Sequence, residues 1–323
     1  LAVITLVNAV LLIGAIYFGE SWLFERVHIK LIALIGLGAL LGCAAVFRAA
    51  FATFKQTEGH LDFSKVAEGS ALSAFITEAT QGVGADRVDN VIVGDELTFF
   101  ATQGALQCGN AHLTGKTLYL SRPLLEYLSV NELKAIVSHE LGHLKGLDTV
   151  YGKEFAPIYQ GLVSSIICIS QNSGGAMALA ILPTRVMLLF LYDSFTLSER
   201  KHSRERELAA DEEAVRATAP KTFAHALIKT GALMGVWSEA EEKAENDHEK
   251  DMDKKELSLE YFKDAKKDFT PETYEEMASR EIFHPYDTHP STKARIEALG
   301  LSWEEAIQGI DYQPADKASA LLA

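Results

Sequence analysis

Apolar residues are concentrated in three parts of this chain. Leu1 to Gly19 is almost wholly apolar and carries no charge. A short polar connection with Glu20, Glu25, Arg26 and Lys30 follows, and Leu31 to Ala45 is apolar again, continuing to Phe54 with the single charge of Arg48. Each run approaches the ~20 residues that cross a bilayer. The second run follows the first too soon for a cleaved signal peptide, and no small-residue cleavage site separates them. Residues 1–54 are therefore expected to form a transmembrane hairpin, with Gly36, Gly38 and Gly42 allowing close helix packing. The third uncharged stretch runs from Phe155 to Thr184 and resumes from Val186 to Tyr192, with a break at Gln171–Gly175. Gln160, Ser164, Ser165, Pro183 and Arg185 suit lipid poorly, so 155–197 is expected as an apolar hairpin that is either membrane-spanning or interfacial.

The rest of the chain, 55–323, alternates at shorter periods. Asp62 to Gln81 reads as a helix, and Asp89–Val93, Leu97–Thr102 and Thr117–Leu120 read as short strands rich in Val, Ile, Phe and Thr. Gly104 and Gly109–Asn110 mark turns. Ser129 and Glu132 have the spacing of a capping box. After it Leu133, Ile136, Val137, Leu141 and Leu144 recur at helical spacing, and Lys145–Gly146 supplies a stop. Beyond Asp211 the chain reads as helical to its end, with a second capping box at Ser302–Glu305. Glu239 to Glu281 is rich in lysine and acids and reads as an acidic insertion, solvated helix or partly disordered. The fold class this predicts is mainly α with a small β-sheet, α+β.

Charge and cysteine usage narrow the partners. The 323 residues carry a formal net charge of −14, which argues against a nucleic-acid role. Cys43, Cys108 and Cys168 are too few for a disulfide framework, and two lie in apolar runs, consistent with a reducing compartment. Arg48, Lys55 and Lys65 follow the second apolar run, and Arg200, Lys201, Arg204 and Arg206 follow the third. The positive-inside rule then places 55–323 in the cytoplasm, as part of a multi-pass protein of the cell (inner) membrane.

The chemistry is concentrated in His139-Glu140-Leu141-Gly142-His143. Histidines four apart share one helix face, so both imidazoles can reach one zinc ion, and Glu140 between them can take a proton from water. A catalytic zinc needs a third protein ligand. Thr149 stands at the metzincin spacing and is a poor ligand, and Asp148 is one residue out of place. The favoured third ligand is Glu207, four before Asp211 on a helical segment, with Ala209 and Ala210 small enough to let two helices approach. Asp211 could then accept the free ring N–H of a ligand histidine. Glu205 and Glu212 are the alternatives on other faces.

His139-Glu140-x-x-His143, Glu207-x-x-Ala210-Asp211 and Thr288-His289-Pro290-Ser291-Thr292-Lys293-Ala294-Arg295-Ile296 occur in that order. In this order the chain resembles the HtpX-like and CAAX-prenyl-protease-like zinc metalloendopeptidases, which are gluzincins, over roughly residues 60 to 300. The resemblance implies a zincin-like metallopeptidase domain behind an amino-terminal transmembrane hairpin, with one Zn2+ per chain. It implies His139, His143 and Glu207 as ligands, Glu140 as general base, Asp211 as orienter of a histidine, His289 over the zinc and Arg295 in support. Many such proteins carry Asn-Ala-Phe-Ala-Thr on the strand before the active-site helix. Here the stretch is Thr98-Phe99-Phe100-Ala101-Thr102, without the asparagine, so Phe99, Phe100, Ala101 and Thr102 would bind a substrate strand through the backbone. The implied partners are polypeptide substrates, from membrane or misfolded proteins, and the lipid bilayer. A membrane chaperone or adaptor that retains zinc, and a prenyl-peptide protease, are the other readings.

Overall fold

The computed structural model describes residues 2–25, 27–30, scattered positions between 32 and 44, 63–103, 106–108, 111–145, 159, 161–167, 170, 176–247, 254–265 and 290–323. The chain divides into two compact units, one from 1–56 and 150–199, the other from 57–149 and 200–323.

In the first unit, α1 is the 23-residue helix Ala2–Phe24. Its apolar side chains stand exposed, among them Val3, Val10, Leu11, Phe18 and Trp22, the last 84% exposed. Near its end the Glu20 carboxylate accepts the backbone N–H of His28, which lies just beyond the helix, at 2.7 Å and stands 3.0 Å from His28 Nδ1. Among the described residues no helix is long and apolar enough to cross a membrane. The hairpin expected over 1–54 is thus not shown, and part of its second half lies outside the described residues. In the third apolar stretch residues 161–167 are helical, and the hydroxyls of Tyr159 and Tyr192 meet at 2.9 Å. The expected break at Gln171–Gly175 also lies outside the described residues.

From Ala176 onward the stretch belongs to one continuous helix, α5 (Ala176–Ala217), which also carries Glu207. Nothing in Tyr192–Arg206 breaks it, because that stretch has neither Gly nor Pro.

The second unit is built on a four-stranded sheet in the order β1-β2-β6-β3. Strand β1 (Phe63–Lys65) is antiparallel to β2 (Asn90–Gly94), β2 is parallel to β6 (Lys116–Ser121), and β6 is antiparallel to β3 (Phe100–Gln103). A separate hairpin pairs β4 (Leu106–Cys108) with β5 (Ala111–Leu113). The helix expected from Asp62 begins later. Phe63–Lys65 is strand, and α2 (Ala71–Val83) starts only where Ser70 Oγ accepts the Ser73 N–H, ending at Gly84 with φ +72°.

The turn into β6 needs glycine. Gly115 has φ +91°, and a Cβ there would fall 2.2 Å from the Asp89 carboxylate, which accepts the Lys116 N–H. One sheet face, with Val93, Leu118, Leu120 and the flanking Phe99 and Ala101, packs on α2 and on α4 (Val130–Lys145). The short helix α3 (Arg122–Leu125) links β6 to α4.

A long helix and a shorter one complete the core. The first, α6 (Pro220–Asn246), packs along α4 and also against α7 (Lys254–Ala265). Leu233, Val236, Trp237 and Ala240 of α6 share an apolar cluster with Phe262 of α7 and Leu97. The described part of 239–281 is helical, with Ala240, Ala244, Leu257 and Phe262 buried and most of its charged residues exposed. Its few large apolar residues are spaced to fall on one face. The chain ends with α8 (Thr292–Ala298), α9 (Trp303–Ile307, opened by the Ser302–Glu305 capping box) and a 3-10 turn at Ala318–Leu322.

Candidate metal centre

Helix α4 starts as its sequence requires. Ser129 Oγ accepts the Glu132 N–H at 3.2 Å, and Glu132 returns by accepting the Ser129 N–H at 2.7 Å. Leu133, Ile136, Val137, Leu141 and Leu144 are all buried. This packing leaves His139 buried, His143 partly exposed and Glu140 partly exposed, all on a helix that cannot rotate without exposing its apolar face.

Glu207 and Asp211 reach the histidines because α4 and α5 come close. A Cβ at Gly142 would lie 3.1 Å from Ala210 Cα and 3.3 Å from Ala210 Cβ. A hydrogen at 142 and a methyl at 210 are what the gap admits. Glu207 and Asp211 are then both buried against α4, while Glu205 and Glu212 are exposed and pair with Lys201, His202 and Arg216 on the outer side. Asp148 lies outside the described residues.

Donor atoms of three residues converge. His139 Nε2 is 3.2 Å from His143 Nε2 and 3.5 Å from Glu207 Oε2, and His143 Nε2 is 3.5 Å from Glu207 Oε1. Two donors each about 2.1 Å from a tetrahedral ion stand about 3.4 Å apart. The three separations fit zinc coordination, and the donor set, two imidazoles and a carboxylate, suits a catalytic zinc with its fourth position open.

Around this cluster each group is held by another. His139 Nδ1 lies 2.9 Å from Asp211 Oδ1. Asp211 in turn accepts Arg295 Nε at 2.9 Å and Arg295 Nη2 at 2.5 Å, a two-pronged bond from α8. Burial pushes the His139 pKa down, but its hydrogen bonds to Asp211 and Glu207 outweigh this and carry it up to about 9. The Glu140 charge adds to that upward pull, so this carboxylate stands within the field of the cluster. Burial raises Asp211, yet Arg295 and His139 hold it below the ordinary carboxylate range.

The other sequence candidates fall as follows. Phe99 and Ala101 pack on the core beneath the sheet, and the Phe100 ring stacks on Tyr119 at 4.9 Å with planes 2° apart. Thr102 pairs with Thr117 in the ladder. These residues belong to β3 and its approach, the edge strand of the sheet beside α4. His289 lies outside the described residues. Directly after it Pro290 is buried, and Ser291 caps α8 by accepting the Ala294 N–H at 3.2 Å.

Two participants had no signal in the sequence. Phe223 of α6, fully buried, lies under His139 with ring centroids 5.8 Å apart. Lys229, also fully buried, donates to Glu132 at 2.8 Å and to the Tyr127 carbonyl at 3.2 Å. Both look like ordinary positions of an amphipathic helix until the fold brings α4 alongside.

A helix-borne His-Glu-x-x-His motif, met by a carboxylate from a second helix, is the arrangement expected of a metallopeptidase. Residues 98–301 match Peptidase family M48, and the chain belongs to that family. It is similar to the Protease HtpX homolog 1 of Sulfolobus acidocaldarius, 40% identical over 63 residues, covering 20% of this chain and 19% of that protein. It is also similar to the Protease HtpX homolog of Archaeoglobus fulgidus, 33% identical over 127 residues, 36% of each. With that of Methanocaldococcus jannaschii the identity is 27% over 134 residues, 37% of this chain and 47% of the relative. The chain thus matches less than half the length of these relatives. A crystal structure of S. mikatae Ste24p aligns at TM-score 0.41 and 16% identity, covering 93% of this chain and 66% of that one, a likeness too distant to carry an argument.

Proposed function

We propose that this chain is a membrane-anchored, zinc-dependent endopeptidase that hydrolyses peptide bonds of membrane or misfolded proteins. The observation that carries the reading is the spacing of 3.2–3.5 Å among the His139, His143 and Glu207 donors. These three would hold one zinc ion, which when bound polarises a carbonyl and brings the pKa of water to about 7. Glu140 is the general base: it takes a proton from the attacking water and passes it to the leaving amine. Asp211 keeps the proton of His139 on Nδ1, so that the Nε2 lone pair faces the donor cluster, and Arg295 keeps Asp211 in place. His289 would stabilise the oxyanion as negative charge develops there.

Substrate would enter as an added strand on the edge of β3, where backbone groups of Phe100–Gln103 can pair with it. The exposed apolar length of α1 supports the anchor, and the basic residues flanking the apolar runs support a cytoplasmic catalytic unit.

One experiment addresses both parts. The chain should remain with alkali-washed membranes and need detergent for release. Purified in detergent, Glu140→Gln should keep its zinc and lose casein cleavage by about 10²–10⁴-fold. Near-wild-type cleavage by the zinc-loaded variant would reject the mechanism. Release by alkali alone would reject the anchor while leaving the mechanism standing.

A further inference from the structure

We propose that Phe223 is a positioning residue for the metal site, a buried ring on which both His139 and the Arg295 that steadies it are seated. The proposal rests on His139 being a zinc ligand, as proposed above.

The geometry is specific to this side chain. The Phe223 ring lies 5.8 Å from the His139 ring with planes 27° apart, close to parallel. The Arg295 guanidinium carbon lies 5.6 Å from the same ring centroid. One phenyl therefore carries an imidazole and a cation at once, and Arg295 closes the circuit through its two bonds to Asp211, which holds His139 Nδ1.

That circuit meets a geometric need. The bond from Cβ and the hydrogen bond at Nδ1 hold one side of the imidazole, but leave the ring able to swing about the line joining those two points. Such a swing moves Nε2, the atom that faces His143 and Glu207. A flat surface against the ring removes this freedom, which a branched aliphatic side chain of similar volume does not. The guanidinium is attracted to the face of the same ring, so Arg295 and His139 are positioned against a common reference. Phe223 is fully buried and comes from α6, an element that supplies none of the donors.

The test is zinc affinity, measured by chelator competition on the full chain in detergent, with circular dichroism and thermal unfolding to establish the folded state. Phe223→Leu keeps an apolar group of comparable size and is expected to weaken zinc about tenfold, the lower end of what loss of an outer-sphere partner costs. Leu233→Ala, in the separate apolar cluster between α6 and α7, should lower stability and leave zinc affinity unchanged. Arg295→Lys should also weaken zinc. Because Phe223 and Arg295 act on the same imidazole, Phe223→Leu combined with Arg295→Lys should weaken zinc less than the product of the two single effects.

Wild-type affinity in Phe223→Leu overturns the proposal. So does an equal loss in Leu233→Ala, which would mean that zinc binding follows general stability. Strictly multiplicative losses in the double variant also overturn it. A wild-type chain that takes up no zinc would overturn the metal site itself, and this role with it, whereas the preceding outcomes leave the site intact.

Discussion

Helix α4 buries two polar clusters, and they are opposites. At its first turn Glu132 accepts from the Ser129 N–H and from Lys229, whose remaining reach goes to the Tyr127 carbonyl. Donor meets acceptor at each contact, so the cluster is complete in itself. Two turns later His139, His143 and Glu207 bring two ring nitrogens and a carboxylate to within 3.2–3.5 Å of one another. That arrangement calls for a cation, and the groups behind it, Asp211 and Arg295, are satisfied in the ordinary way. The difference separates a polar burial that fastens helices together from one that is prepared for an incoming ion.

If the contrast is right, the two clusters should fail differently. The largest effect is expected at the donors. Glu207→Ala should weaken zinc by more than the about 10–100-fold typical of an outer-sphere partner, with the helices still folded, whereas Glu205→Ala and Asp148→Ala should not. Metal content after dialysis against a weak chelator reads this directly. Loss of zinc on Asp148→Ala alone would move the ligand away from α5.

Lys229→Met should act on stability instead. Stripping the lysine from a buried carboxylate costs about 3–5 kcal/mol, measurable as a lower denaturation midpoint in urea. The folded fraction should hold zinc as tightly as wild type. A matching loss of zinc affinity would show that the two clusters are coupled and not independent.

The smallest effect concerns pH in the metal-free chain. His139 is raised from 6.5 to about 9, so its contribution to stability is complete below about pH 6.5 and is lost as pH rises through about 9. Asp211 is depressed, so its contribution is present above the ordinary value of 3.8 and is lost as pH falls through its lowered one. Stability of metal-free protein should therefore decline between pH 6.5 and 9, by at most about 1.4 kcal/mol per pH unit for one proton. Zinc affinity should rise over the same interval, because the ligand must give up its proton. Urea titrations at several pH values check both signs, and a flat stability profile would show that His139 is neutral without metal.

What could be read in advance follows the range of the interactions. The capping box, the buried face of α4 and the spacing of the two histidines are local, and they are legible in the order of residues. The meeting of Glu207 with the histidines was legible for a chemical reason: a pair of imidazoles on one face lacks a donor, and Ala209–Ala210 marks a helix able to come near. Phe223 and Lys229 depend on which helix lies beside α4, some 80–100 residues away in sequence, and no local pattern carries that. The start of α2 was misplaced because Phe63–Lys65 is drawn into pairing with β2. The packing of α7 is not legible in its acidic composition. Leu257 and Phe262 suffice to bury one face once α6 is there to receive them.

The bare position at Gly142 also bears on which element the protein can use. Its contact with Ala210 sets how near the two donor-bearing helices stand. A separation that leaves donors about 3.4 Å apart suits an ion bonded at about 2.1 Å. Calcium, which takes about six to eight oxygen ligands, is poorly matched by a set of two imidazoles and one carboxylate. The residue with no side chain thus serves as a spacer of zero thickness: by admitting Ala210 so closely, it lets two separate helices offer their donors to a single point.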